Sequence, residues 1–312
     1  MFLSDFARKN LLIEFQRILS RAANRAIYDA KGKPTEPHLT KEIASQIPNG
    51  LYDALTSYIH GYEFEVHAIF CHQFPYVKFL DGTNRKCEIG DMLFIYCEKD
   101  KTFGKALLLQ AKKIEDSKFI PKNNEKAQLD LYTKSPDFTY VLSTEKRKIP
   151  NDDSFNEAQY LFMYKPFCND SDYRTELPKN ILTYPFPNNF PLADKLLELI
   201  SDTKKGNFSI DGNSKDDWSK IIQDFLELKY STNQNLLNQK NKRDNFAGGI
   251  SFVSVKNIEE LFDCEYLKET VAEINKNENL SNQNIPEETK PFLVVYINSN
   301  PKNKEYLKEG RW

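Results

Sequence analysis

The stretch Cys87–Lys113 carries the residues whose types and spacing suit chemistry. Two strongly apolar segments, Asp91–Cys97 and Lys105–Lys112, flank the polar connection Glu98–Gly104 and read as a β-hairpin. Folding the hairpin near residue 101 sets Asp91 opposite Ala111, and a register one residue different sets it opposite Gln110 or Lys112. Gln110 and Lys112 are two apart on one strand and so share a face. A carboxylate, an amide oxygen and an ammonium then converge inside an apolar strand pair, where polar groups are expensive to bury unless paired. Two readings stand at this point. The cluster is functional, or Asp91 and Lys112 sit at strand ends, solvated or joined in a modest ion pair.

Asp91 followed by Gln110-Ala111-Lys112 resembles the core motif of the PD-(D/E)xK nuclease superfamily, D…(D/E)-x-K on a β-hairpin. Gly90 stands at the motif proline, and Gln110 replaces the second acid, a QxK version similar to that of Mrr-like restriction nucleases. Gln128 and Tyr132 resemble the QxxxY element that follows the lysine in RecB-type nucleases. The resemblance covers residues 40–145 and implies Mg²⁺-dependent (or Mn²⁺-dependent) hydrolysis of DNA, in bacterial restriction or phage defence. In that chemistry a divalent ion polarises the scissile phosphate and activates water, and Mg²⁺ takes hard oxygen ligands. The implied catalytic residues are Asp91, Gln110 and Lys112. The implied ligands are Asp91, the Gln110 side-chain oxygen and the Ala111 carbonyl, with Lys112 handling the attacking water and the developing charge. Gln110 lowers the negative charge of the site, so another acid is expected to compensate: Glu88 first, with Glu14 or Glu42 from the leading helices as the others. Gln110 also keeps open the alternative of a catalytically inactive nuclease fold serving as a binding or assembly subunit.

Other features are weaker. Lys113, Lys118, Lys122 and Lys126, with Gln128, are candidates for holding DNA phosphates, or form an ordinary solvated surface. The four histidines (His38, His60, His67, His72) fit no metal-ligand spacing, and Asp216-Asp217-Trp218 reads as a helix start with a packing aromatic. No P-loop is present.

Around the motif the pattern predicts helices over 4–29, from Thr40 to His60 with an interruption at Pro48-Asn49-Gly50, and over 123–134. Strands are expected near Tyr62–Phe70, Phe74–Phe79, Phe138–Ser143 and Tyr160–Lys165, besides the two hairpin strands, which should be central because both faces are apolar. The fold class is therefore α/β (α+β), a central mixed sheet flanked by helices, which the resemblance makes restriction-endonuclease-like, in the order α-β-β-β-α-β. Residues 1–165 are expected to form that domain. Asn-rich 166–312 is expected to be a helix-rich C-terminal extension for recognition, oligomerisation or contact with a partner protein of the same defence system, with helices at 193–200, 216–228 and 258–274 and strands at 250–255 and 291–298. With 312 residues, 13% aromatic, the chain is long and aromatic enough for a real core. Five scattered cysteines without CxxC argue against a disulfide framework, and no apolar run approaches a membrane span; a cytoplasmic protein is expected. Lys+Arg 43 against Asp+Glu 45, a net charge of -2, speaks against a protein that is basic all over.

Overall fold

A computed structural model describes residues 3–72, 76–98, 102–114, 119, 121, 123–140, 144–151, 157–167, 169–178, 190–201, 208–209, 214–226, 250–254 and 291–301. The chain opens with two long helices. In α1 (Asp5–Asp29) the Ser4 hydroxyl caps the first turn, and of the apolar residues whose spacing predicts a stripe, Leu11, Phe15, Ile18, Leu19 and Ala22 are buried while Phe6 is exposed, at 72%. In α2 (Glu36–Tyr58) the start lies earlier than expected, at Thr35, because Pro37 falls in the first turn, where a missing N–H costs nothing. Pro48-Asn49-Gly50 does not interrupt α2: Pro48 lies inside it, and Gly50 is the point of closest packing on α1, where an added Cβ would lie 2.5 Å from the Ile18 side chain.

The strands follow as β1 (Tyr62–His72), β2 (Tyr76–Phe79), β3 (Lys86–Glu88), β4 (Met92–Glu98) and β5 (Phe103–Ile114). Then come α3 (Asn123–Thr133), β6 (Phe138–Tyr140), β7 (Ala158–Tyr164), β8 (Tyr173–Glu176), β9 (Phe190–Pro191), α4 (Leu192–Ser201), β10 (Phe208–Ser209), α5 (Asp217–Leu226), β11 (Ile250–Ser254) and β12 (Pro291–Pro301). The large sheet runs β11-β1-β12-β4-β5-β7-β8-β9, with β10 paired to the start of β5, and β3-β2-β6 form a separate small sheet. It is a mixed sheet: β4–β5 and β1–β12 are antiparallel, while β12–β4 and β5–β7 are parallel.

The hairpin strands β4 and β5 are central, as their two apolar faces require. Their alternation divides the core. Met92, Phe94, Leu107, Leu109 and Ala111 face the layer of α1, α2 and α4. Leu93, Ile95, Ala106 and Leu108 face a second core with Leu131 and Tyr132 of α3, Tyr160 and Phe162 of β7, and Trp218 and Phe225 of α5. On that second side the Arg147 guanidinium meets the Asp224 carboxylate at 2.6 Å and 2.9 Å, both residues buried, tying α5 to the segment that follows β6. Burying such a pair requires the fork geometry seen here.

The expected strands do not all share one sheet: β2 and β6 lie in the small sheet, and in the large sheet β12, from the far end of the chain, lies between β1 and β4. Strands from beyond residue 165 thus complete this sheet on both flanks, and the boundary expected at 165 does not coincide with an edge of it. The helix expected at 258–274 lies outside the described residues. Among the described residues no helix is long and apolar enough to cross a membrane.

Candidate active site

The hairpin register decides the site. Met92 pairs with Leu109, so the next position outward brings Asp91 opposite Gln110, one residue away from the Ala111 that a turn near residue 101 predicts and one of the two shifted registers. Asp91, Gln110 and Lys112 are all buried, at 2%, 0% and 3% exposure, which removes the reading of solvated strand ends. Alternation along β4 and β5 puts all three on the α3 side of the sheet. The Asp91 Oδ2 accepts the Ala111 backbone N–H at 2.7 Å and a short hydrogen bond from the Gln110 Nε2. A carboxylate has no hydrogen to give, so the Gln110 amide must turn its NH₂ toward it. Its oxygen, Oε1, is then left buried, with no hydrogen-bond partner among the described residues. An unmet buried acceptor costs about 1–3 kcal/mol.

The approach to Asp91 is held from α3. The Tyr132 hydroxyl donates to the Ile89 carbonyl at 2.5 Å, and burial pushes that phenol well above its ordinary range, keeping it a donor. Gly90 lies between them. An added Cβ there would come 2.7 Å from a Leu108 methyl and 3.2 Å from the Tyr132 hydroxyl, so the residue at the motif-proline position is one that nothing larger replaces without movement. Tyr132 also meets the Tyr160 ring edge-on, 5.6 Å between centroids. Tyr160 pairs with Gln110 and Phe162 with Lys112 across β5–β7, giving the polar cluster an aromatic neighbour strand.

Lys112 is set between two acids. Its Nζ lies 3.7 Å from the Glu36 carboxylate and 3.5 Å from that of Glu125. Glu36 opens α2 and also accepts the Lys113 backbone N–H at 3.1 Å; Glu125 lies in the first turn of α3. Both carboxylates therefore gain from the positive ends of their helices as well as from the ammonium. These are the helical acids of the site, and neither Glu36 nor Glu125 was among those expected. The available signal was Thr35-Glu36-Pro37, a capping residue, an acid and a first-turn proline, which lies ahead of the helix start expected at Thr40.

The expected acids lie elsewhere. Glu88 ends β3 in the small sheet, half-buried, and takes the Tyr76 hydroxyl at 3.2 Å. Glu14 pairs with Arg17 along α1, and Glu42 is buried 3.6 Å from Arg25. Of the candidate DNA contacts, the Lys113 ammonium lies over the Phe167 ring at 5.4 Å, Lys126 is exposed on α3, and Gln128 is buried there. Lys118 and Lys122 lie outside the described residues. Trp218 is buried and the Asp216 carboxylate accepts the Ser219 N–H at 2.7 Å, the helix start that was expected.

Comparison with protein-family models, curated proteins and solved structures finds no match to this chain. Any function must therefore be argued from the site.

The residues present admit a hard divalent cation. The Asp91 carboxylate, the buried Gln110 oxygen, which meets no donor among the described residues, and the Ala111 carbonyl are all oxygen ligands at adjacent positions of one hairpin end. The set holds a single carboxylate, and among the described residues no group of three His, Cys, Asp or Glu is arranged to hold a metal ion.

Proposed function

We propose that this chain is a Mg²⁺-dependent deoxyribonuclease with a restriction-endonuclease-like core, working in the cytoplasm in bacterial restriction or phage defence. The observation that carries the proposal is the burial of Asp91, Gln110 and Lys112 together on one face of the central hairpin, with Asp91 bonded to Gln110 and Ala111. The hairpin followed by α3 is what the motif implies, but the strand that ends the resembling stretch, β6, lies in the small sheet; the parallel neighbour of β5 is β7, beyond that stretch, and β12 lies between β1 and β4.

A bound Mg²⁺ would polarise the scissile phosphate and acidify a coordinated water. Asp91, the Gln110 amide oxygen and the Ala111 carbonyl would hold it. The Lys112 ammonium neutralises charge that develops on the phosphate oxygens, acting in a buried setting where such an interaction is strong. Glu36 and Glu125 both hold that ammonium, and Tyr132 fixes the backbone that leads into Asp91.

The deciding experiment is cleavage of supercoiled and linear DNA with Mg²⁺ or Mn²⁺ by the wild type, Asp91→Ala and Lys112→Ala, each checked for an unchanged circular-dichroism spectrum. Both substitutions should lower the rate by roughly 10²–10³-fold or more. Cleavage that survives both removes these residues from the mechanism.

A second reading, a DNA-binding subunit on an inactive nuclease fold, is favoured by the single carboxylate at the proposed cation site and by the amide NH₂ that occupies it. Tight DNA binding by the wild type without cleavage under either metal would establish that reading.

A further inference from the structure

We infer that Gln110 is a cation-dependent amide switch, its NH₂ group closing the site on Asp91 when no cation is present and its oxygen replacing that group when one binds. The inference rests on the cation-dependent reading above and adds how the site is kept shut. Three observations carry it. The Gln110 Nε2 donates to the Asp91 Oδ2, so the amide NH₂ holds the carboxylate without metal. The Gln110 Oε1 is fully buried and meets no donor among the described residues. The Ala111 N–H also holds the Asp91 Oδ2, at 2.7 Å, so the carboxylate stays in place whichever way the amide faces.

The two states are nearly the same shape. Rotation by half a turn about the last side-chain bond of a glutamine exchanges O for NH₂ with almost no change in volume, and that bond is soft and two-fold. With Asp91 ionised, a cation makes it favourable for the amide oxygen to face the carboxylate, since the two acceptors otherwise repel. A cation therefore enters only by displacing a charge-assisted hydrogen bond, which sets a threshold for binding that a second carboxylate at 110 would not impose. The QxK form of the motif thereby differs from a (D/E)xK form in how its empty state is closed, as well as in charge.

The test uses the intact protein labelled with ¹⁵N and titrated with Mg²⁺, which is diamagnetic. The side-chain NH₂ pair of Gln110 is assigned by its loss in Gln110→Glu and, if that variant does not fold, by selective ¹⁵N-glutamine labelling with Gln110→Met. The Ala111 backbone amide reports arrival of the cation at Asp91, and the Gln110 NH₂ pair reports the turn. The expected result is that both signals shift together with one half-saturation concentration. A shift of Ala111 with the Gln110 pair unmoved overturns the switch while leaving the cation site standing. Saturating millimolar Mg²⁺ that moves neither signal overturns the cation reading and the switch with it. Gln110→Glu should also bind Mn²⁺ roughly tenfold or more tightly than the wild type, because it adds a charged ligand; an unchanged affinity in a folded Gln110→Glu protein counts against the switch.

Discussion

At the scale of single residues, Gly90 is the most exacting position near the site. Its neighbours Leu108 and Tyr132 are both buried, and the Tyr132 hydroxyl is committed to the Ile89 carbonyl, so neither can retreat easily. Gly90→Ala should therefore destabilise the protein by about 1–3 kcal/mol, the usual range for forcing a methyl into a packed core. A urea midpoint unchanged from the wild type would show that the strand entrance is looser than this packing. Alternation along the hairpin made the union of Asp91 with Gln110 or Lys112 legible in the sequence, because residues two apart on a strand share a face. Glu36 was not legible. It reaches Lys112 from a helix whose start was obscured by Pro34 and Pro37, and nothing local to the motif points seventy-odd residues back along the chain.

Among the elements, β12 changes the sheet most. It pairs antiparallel with β1 and parallel with β4 over most of its length, and Ile297 is buried at 1% exposure in the core beneath α1 and α2. Ile297→Ala should cost about 2–5 kcal/mol, as for other large-to-small changes at buried aliphatic positions. A loss below about 0.5 kcal/mol, the range of ordinary surface substitutions, would mean that β12 does not occupy the centre of the sheet. The apolar run Phe292–Ile297 made a strand evident in the sequence. Its neighbours were not, since a parallel partner far along the chain leaves no turn signal between the two strands. The helices α2 and α3 contribute differently: each brings the acid of its first turn, Glu36 or Glu125, to the buried ammonium of Lys112.

For the molecule as a whole, the buried thiol and phenols set a limit on alkaline stability. Burial pushes the Cys87 thiol up from 9.0 to about 12, and raises Tyr132 and Tyr140 well above their ordinary 10.0. A group whose folded value is raised keeps its proton after the unfolded chain has released it, so its stabilising contribution is intact below pH 9 and is lost as pH climbs toward the folded value. The contribution of these three groups should accordingly be flat below pH 9, fall from pH 9 to 12 with Cys87, and fall more steeply past pH 10 as the tyrosines join, by about 1.4 kcal/mol per pH unit for each group. Urea unfolding at pH 8 and pH 10.5 measures this, and equal midpoints would rule out the burial of these groups. The net charge of -2 takes on a narrower meaning at this scale. Lys112, the cation nearest Asp91 in the motif, is offset within the site by Glu36 and Glu125, so a near-neutral total is compatible with strongly localised charge.

The sequence by itself determined what local pattern can determine. It determined that α1 is a helix with a Leu11–Ala22 stripe, that β4 and β5 form a central hairpin, and that Asp91, Gln110 and Lys112 share a region of it, because periodicity and turn spacing act over a few residues. The tertiary structure alone decided the rest. It placed β12 between β1 and β4, brought the carboxylates of Glu36 and Glu125 to the ammonium of Lys112, and left the Gln110 oxygen buried with no donor among the described residues while its nitrogen met Asp91. Each of these depends on segments distant in the chain or on which atom of a group faces which neighbour, and the sum of long-range packing and hydrogen bonding settles such matters only when the whole sheet has closed.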